Sequence, residues 1–202
     1  MEFNAIKAQS RLGLLNYQAQ ISKYIYYPLK ITNKCVVESE KFHKLVTSMP
    51  IPQLQSDYLP QGVHECTIDE LRKSFFCLND RRKTLLNNLE KYISILHQYG
   101  LTGWIILDGS FVTVKENPGD IDIILVISEN QHYSVSSPVT QFDLTMLRKD
   151  YVKKNFELHL FVGFTDAKST NGFDDTSNLW IEFFKGIRGN ANMKKGLLMV
   201  RI

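Results

Sequence analysis

Asp120 and Asp122 stand one residue apart at the entrance to an apolar run that continues through Ile127. In an extended strand alternate side chains share a face, so both carboxylates project to one side while Ile121 and Ile123 point to the other. Two carboxylates held close together repel each other, and a cation between them relieves the repulsion. Upstream, with nine residues between it and Asp120, the pair Gly109-Ser110 ends another apolar run. A Gly-Ser pair at a strand end lets the backbone approach a ligand, and the hydroxyl and neighbouring N–H groups can hold a phosphate. Lys115, in the turn-rich segment between, can neutralise phosphate charge. Mg²⁺ suits the Asp pair because it is a hard cation that takes oxygen ligands and bridges to substrate phosphates. A second Mg²⁺ would help activate a hydroxyl for in-line displacement. Together these groups suit nucleotidyl transfer from a nucleoside triphosphate, with pyrophosphate leaving.

Those residues need strands to hold them and helices to cover the strands. Trp104 to Leu107 reads as a short strand delivering Gly109-Ser110 at its end. Asp120 to Ile127 reads as a central strand, almost continuously apolar after the Asp pair and therefore covered on both faces. Upstream, Thr67-Ile68-Asp69-Glu70 has the form of a capping box and predicts a short helix from Ile68 to about Phe76. Asn79 or Asp80 then caps a longer helix to about Gln98, whose Leu85, Leu89, Tyr92, Ile93 and Leu96 recur at helical spacing, with Gly100 ending it. Arg81, Arg82 and Lys83 in its first turn oppose the helix dipole. They read as a solvated basic start or as a contact to phosphate or nucleic acid. Downstream, a loop over 129–142, a helix from Asp143 to Lys154 and a strand from Phe156 to Val162 are expected, with Glu157 and His159 on one face of that strand. A loop over 165–176, a helix from Ser177 or Asn178 to Gly186 and a last strand from Leu197 to Ile202 complete the pattern.

The 202-residue chain divides into an N-terminal extension, 1–57, and a main domain, 58–202. The extension offers helical candidates over Ala5–Tyr27 and Val37–Val46, and Ser48-Met49-Pro50-Ile51-Pro52-Gln53 is a linker. Its tyrosines, Tyr24, Tyr26 and Tyr27, favour docking on the main domain or on a protein partner over free disorder. Hydrophobic residues make up 44% and charged residues 22%, an ordinary globular balance. The net charge of +3 permits contact with RNA without arguing for it. No apolar run reaches the roughly 20 residues that cross a membrane. Met1-Glu2-Phe3-Asn4 lacks the layout of a signal peptide, and Cys35, Cys66 and Cys77 are odd in number without C-x-x-C spacing. A cytoplasmic location with free thiols is expected. His64 and Cys66 lack a second ligand pair and make no zinc site.

Gly109-Ser110, nine residues, then Asp120-Ile121-Asp122-Ile123 resembles the signature of the polymerase-β-type nucleotidyltransferase superfamily. The wider stretch is similar to a bacterial family of small nucleotidyltransferase-like proteins, through Leu59-Pro60-Gln61-Gly62-Val63-His64, Thr67-Ile68-Asp69-Glu70-Leu71, Asp108-Gly109-Ser110-Phe111-Val112-Thr113, Pro118-Gly119-Asp120-Ile121-Asp122 and Phe183-Phe184 to Lys195-Gly196-Leu197. The resemblance covers about 58–202 and implies an α+β fold, a nucleotidyltransferase-like mixed β-sheet flanked by helices, here with a helical N-terminal extension. It implies that Asp120 and Asp122 bind Mg²⁺ and that a third carboxylate stands on a neighbouring strand. Glu157 is one candidate; His159 occupies the position where related proteins commonly carry Asp, and an imidazole suits Mg²⁺ poorly. Gly109, Ser110 and Lys115 would meet the nucleotide. The implied activity is transfer of NMP from an NTP to a protein or RNA acceptor, in the toxin–antitoxin or phage-defence setting of similar proteins. The alternative is a catalytically degenerate member that acts as an antitoxin or binds a partner through residues 1–57.

Overall fold

The computed structural model of the chain describes residues 51–128 and 144–202. The helical candidates within 1–50 and the whole of the loop expected over 129–142 lie outside the described residues. A five-stranded mixed sheet is the frame: β1 (Gly62–Glu65), β2 (Gly103–Asp108), β3 (Ile121–Ile127), β4 (Leu158–Phe164) and β7 (Gly196–Arg201). Its strand order is β1-β7-β2-β3-β4. β2 runs antiparallel to both neighbours, β7 and β3, whereas β1–β7 and β3–β4 are parallel. A small hairpin of β5 (Gly186–Ile187) and β6 (Asn190–Lys194) lies outside this sheet.

Alternation along the strands sorts the helices onto two faces. Ile105, Leu107, Ile121, Ile123, Leu125, Leu158 and Leu160 enter one core with α2 (Asp80–Gln98) and α3 (Lys149–Phe156). Ile106, Ile124, Val126 and Leu197 enter a second core with Ile181 and Phe184 of α4 (Asp175–Lys185). β3 is thus buried on both sides, which is why its sequence is continuously apolar. α2 forms where the spacing predicts it: Asn79 accepts from the Arg82 N–H, and Leu85, Leu86, Leu89, Tyr92 and Leu96 are fully buried. Each such side chain contributes about 1.5–3 kcal/mol relative to exposure. Tyr92 keeps its hydroxyl satisfied by donating to the Met146 carbonyl at 2.9 Å.

Several elements differ from the sequence expectation. The capping box at Thr67 and Glu70 is present, but α1 (Ile68–Lys73) is short, and a 3₁₀ turn, Phe75–Cys77, replaces its last turn because Ser74 leaves helical geometry and caps Phe76. The helix expected over Asp143–Lys154 begins at Lys149, after a 3₁₀ turn at Leu144–Leu147, and runs on to Phe156. Phe156 therefore belongs to α3, where its ring packs 5.4 Å from Tyr92, and the strand starts at Leu158. α4 starts at Asp175 because the Asp174 side chain accepts from the Ser177 N–H. Neither β1 nor the β5–β6 hairpin was expected. The end of the N-terminal extension folds onto the domain, with Ile51 and Leu54 packed against the first core. Cys66 and Cys77 are free and buried, and burial pushes the Cys66 thiol up to about 12. No helix among the described residues is long and apolar enough to cross a membrane.

Candidate functional site

The pairing register brings polar residues into one row across the sheet. Asp108, last in β2, lies opposite Asp122 of β3, and Asp122 lies opposite His159 of β4. All three share strand parity with Ile106 and Ile124, so they stand on the face that carries α4. His159 Nδ1 is 2.9 Å from Asp122 Oδ1. Lys195, immediately after β6, donates to Asp108 Oδ1 at 2.6 Å. The row therefore reads lysine, carboxylate, carboxylate, imidazole. Asp120 lies just before β3 and pairs with Lys153 of α3 at 3.3 Å.

Burial separates the members. Asp108 is 3% exposed, and its pKa is raised by desolvation, which outweighs the opposing pull of Lys195 and is reinforced by Asp122. Asp122 and Asp120 are partly exposed, at 23% and 29% of their side-chain surfaces, and are the carboxylates a ligand can reach. Lys149 at the start of α3 sits 4.1 Å above the Phe161 ring, and burial lowers its pKa against the opposing influence of Asp150 and Asp122.

Gly109 has φ 80°, and a Cβ there would run into the Asp122 carboxylate. The glycine thus serves two needs at once: a left-handed turn out of β2 and space for Asp122. Gly109→Ala is expected to cost roughly 1–3 kcal/mol, read as a lower thermal midpoint, because the strain and the collision act together. Ser110, half-buried, is second in the 3₁₀ turn Gly109–Val112, and its carbonyl accepts from the Thr113 hydroxyl at 2.9 Å. The Lys115 side chain is exposed, while its carbonyl is held from behind by Arg82.

Glu157 stands elsewhere. It caps α3 in left-handed geometry, φ 55°, where its N–H donates to the Lys153 carbonyl. Its carboxylate is bound by Arg81 at 2.8 Å and by the Asn88 amide at 3.1 Å. The strand expectation placed Glu157 and His159 on a shared face; because Glu157 is a helix cap, only His159 has a strand position, and it is the residue opposite Asp122. Arg81 also donates to the Pro118 and Gly119 carbonyls, and Arg82 donates to those of Phe111, Thr113 and Lys115. Of the basic start of α2, Lys83 stays exposed beside Asp80, whereas Arg81 and Arg82 turn inward to main-chain oxygens. The two arginines clamp the segment joining Gly109-Ser110 to Asp120. Sequence reasoning missed Asp108 and Lys195, although an Asp closing the buried run Ile105–Leu107 was a visible signal.

As a metal seat, the row offers hard oxygen donors of the type Mg²⁺ takes. Among the described residues no group of three or more His, Cys, Asp or Glu side chains is arranged to hold an ion. Two carboxylates with the remaining positions filled by water and substrate phosphate is nonetheless a usual way for Mg²⁺ to bind, and Asp120 and Asp122 are donors of that chemical type.

The class defined by this architecture is an α+β domain with a mixed sheet between helical layers and a carboxylate row at one strand end. The profile of a "Family of unknown function (DUF6932)" matches residues 52–201, and the chain belongs to that family. No curated protein and no solved structure matches the chain.

Proposed function

We propose that the chain is a Mg²⁺-dependent nucleotidyltransferase that moves NMP from an NTP onto a hydroxyl of a protein or RNA acceptor. The observation that carries this reading is the contact between Gly109 and Asp122, which joins the Gly-Ser turn and the Asp-x-Asp strand into one site. Asp120 and Asp122 would hold Mg²⁺, which supplies charge neutralisation for the triphosphate when bound. Gly109 and Ser110 would approach the phosphates through the backbone and hydroxyl, and Lys115 lies exposed on the same segment. The acceptor oxygen forms a bond to the α-phosphorus, the bond to the β-phosphate oxygen breaks, pyrophosphate leaves, and the acceptor proton passes to solvent. A toxin–antitoxin or phage-defence setting belongs to the same proposal.

A second reading is favoured by one feature: basic side chains of the protein already face Asp108, Asp120 and Asp122. His159 stands on Asp122 where a third carboxylate would complete a two-metal site, Lys195 on Asp108 and Lys153 on Asp120. On this reading the fold is a degenerate nucleotidyltransferase that binds a partner as an antitoxin.

Incubation with Mg²⁺ and each α-labelled NTP, in the presence of RNA and of co-encoded proteins, separates the two. The first reading expects label transfer that falls by about 100-fold or more in Asp120→Ala/Asp122→Ala. No transfer with any nucleotide, together with partner binding that survives the double substitution, would overturn it in favour of the second.

A further inference from the structure

The roles assigned so far leave one surface unused. α4 turns Leu179 and Phe183 outward, 57% and 45% exposed, and Met193 of β6 is 52% exposed. Single apolar side chains at a surface are ordinary; here the exposed aromatic is the end of a series. Phe183 lies 6.4 Å from Trp180, Trp180 lies 4.8 Å from Phe161, and Phe161 lies 4.8 Å from His159, whose other contact is Asp122. A line of rings therefore leads from solvent to the carboxylate row.

Charge is distributed unevenly around that line. From Phe183 to Ile202 the sequence holds five basic residues, Lys185, Arg188, Lys194, Lys195 and Arg201, and no Asp or Glu. The chain as a whole carries only +3, so this segment is more basic than the protein it closes. Lys195 is committed to Asp108. Lys185 and Lys194 share one carboxylate, Glu182, at 2.8 and 2.6 Å, which leaves that trio net positive. Arg188 is exposed beyond β5. Lys149, over the Phe161 ring at 4.1 Å, adds a cation beside the line.

Planar rings beside cations match a ligand with planar bases and a phosphate backbone. An acidic peptide would match the charge but leave the rings without planar partners. We propose that the α4–β6 surface, with Phe183 and Trp180 at its centre, binds single-stranded RNA and presents its end to Asp122. The direction of presentation rests on the nucleotidyl-transfer reading; the binding itself does not. The basic start of α2 takes no part, because Arg81 and Arg82 are spent on main-chain oxygens.

The chain has two tryptophans, Trp104 and Trp180, so Trp104→Phe leaves Trp180 as the sole reporter. Titration of the full chain carrying that change with an oligonucleotide of about ten unstructured nucleotides is expected to quench Trp180 fluorescence to saturation. Affinity should fall with salt at a logarithmic slope of roughly −2, as for about three phosphate contacts. Phe183→Ala is expected to weaken binding about 10-fold, and Arg188→Ala to flatten the slope by about 0.7. Both side chains are exposed, and circular dichroism checks that the variants are folded. No quenching at low salt, equal binding of duplex RNA or poly-glutamate, or indifference to both substitutions would overturn the proposal. RNA binding retained in Asp120→Ala/Asp122→Ala supports it even if the wild type transfers no label, in which case the catalytic reading alone falls. Label transfer to a protein without RNA binding overturns this surface and leaves the catalytic reading standing.

Discussion

Lys195→Met is expected to destabilise the fold by roughly 3–5 kcal/mol, the usual cost of stranding one partner of a buried ion pair. Asp108 is almost fully buried, its Lys195 partner is only 11% exposed on the side chain, and Asp122 stands opposite as a second negative charge. With the ammonium gone, desolvation and repulsion act on Asp108 without opposition, and its pKa, already raised, rises further. The sign of the pH dependence follows. A carboxyl whose folded pKa exceeds its unfolded one makes the folded state bind more protons, so the loss is fully present above the folded pKa. It fades as pH falls toward the unfolded value, because the protonated acid is not a stranded charge. Urea midpoints for the variant and the parent should therefore converge on acidification. Asp108→Asn in the Lys195→Met background should recover much of the loss at neutral pH. Absence of that recovery would show that the lysine acts through its stem packing and not through the pair.

Arg82→Met is expected to have a similar effect, roughly 3–5 kcal/mol. Arg82 is 1% exposed and donates to three carbonyls, those of Phe111, Thr113 and Lys115, with Phe75 and Phe111 rings at 5.2 and 5.5 Å from its guanidinium carbon. Methionine fills some of the stem's volume but leaves those oxygens without their donor, and unsatisfied buried acceptors are costly. Arg82→Lys should behave almost as badly, since an ammonium cannot reproduce the fork. A second readout is local: trypsin should cut after Lys115 much faster in either variant. Unchanged cleavage together with a full loss of stability would place the effect in α2 packing instead of in the segment it holds.

How far the sequence carried the structure depends on the range of each interaction. α2 and β3 were legible because periodicity and a doubly buried apolar run are properties of consecutive residues. The Gly109–Asp122 contact was legible as a motif, since the two parts are near in sequence and joined by a turn-rich segment. Glu157 was misplaced because the alternation of Phe156-Glu157-Leu158-His159 fits a strand, while the packing of Phe156 on Tyr92 extends α3 and turns Glu157 into its cap. His159 came out on the correct face because parity survives such a shift. The Lys195–Asp108 pair spans 87 positions and depends on β7 pairing with β2, which no local pattern announces. Arg81 and Arg82 were read as surface charges because nothing local tells a solvated arginine from one that folds inward onto a later segment.

The arginine clamp bears on how this protein tolerates change. Arg81 and Arg82 grip the stretch between the glycine turn and β3 at main-chain oxygens. Every amino acid carries that oxygen, so the grip is blind to what the side chains there are. The stretch can accordingly vary in composition while keeping its path, and different residues can be displayed above the carboxylate row without the row being rebuilt.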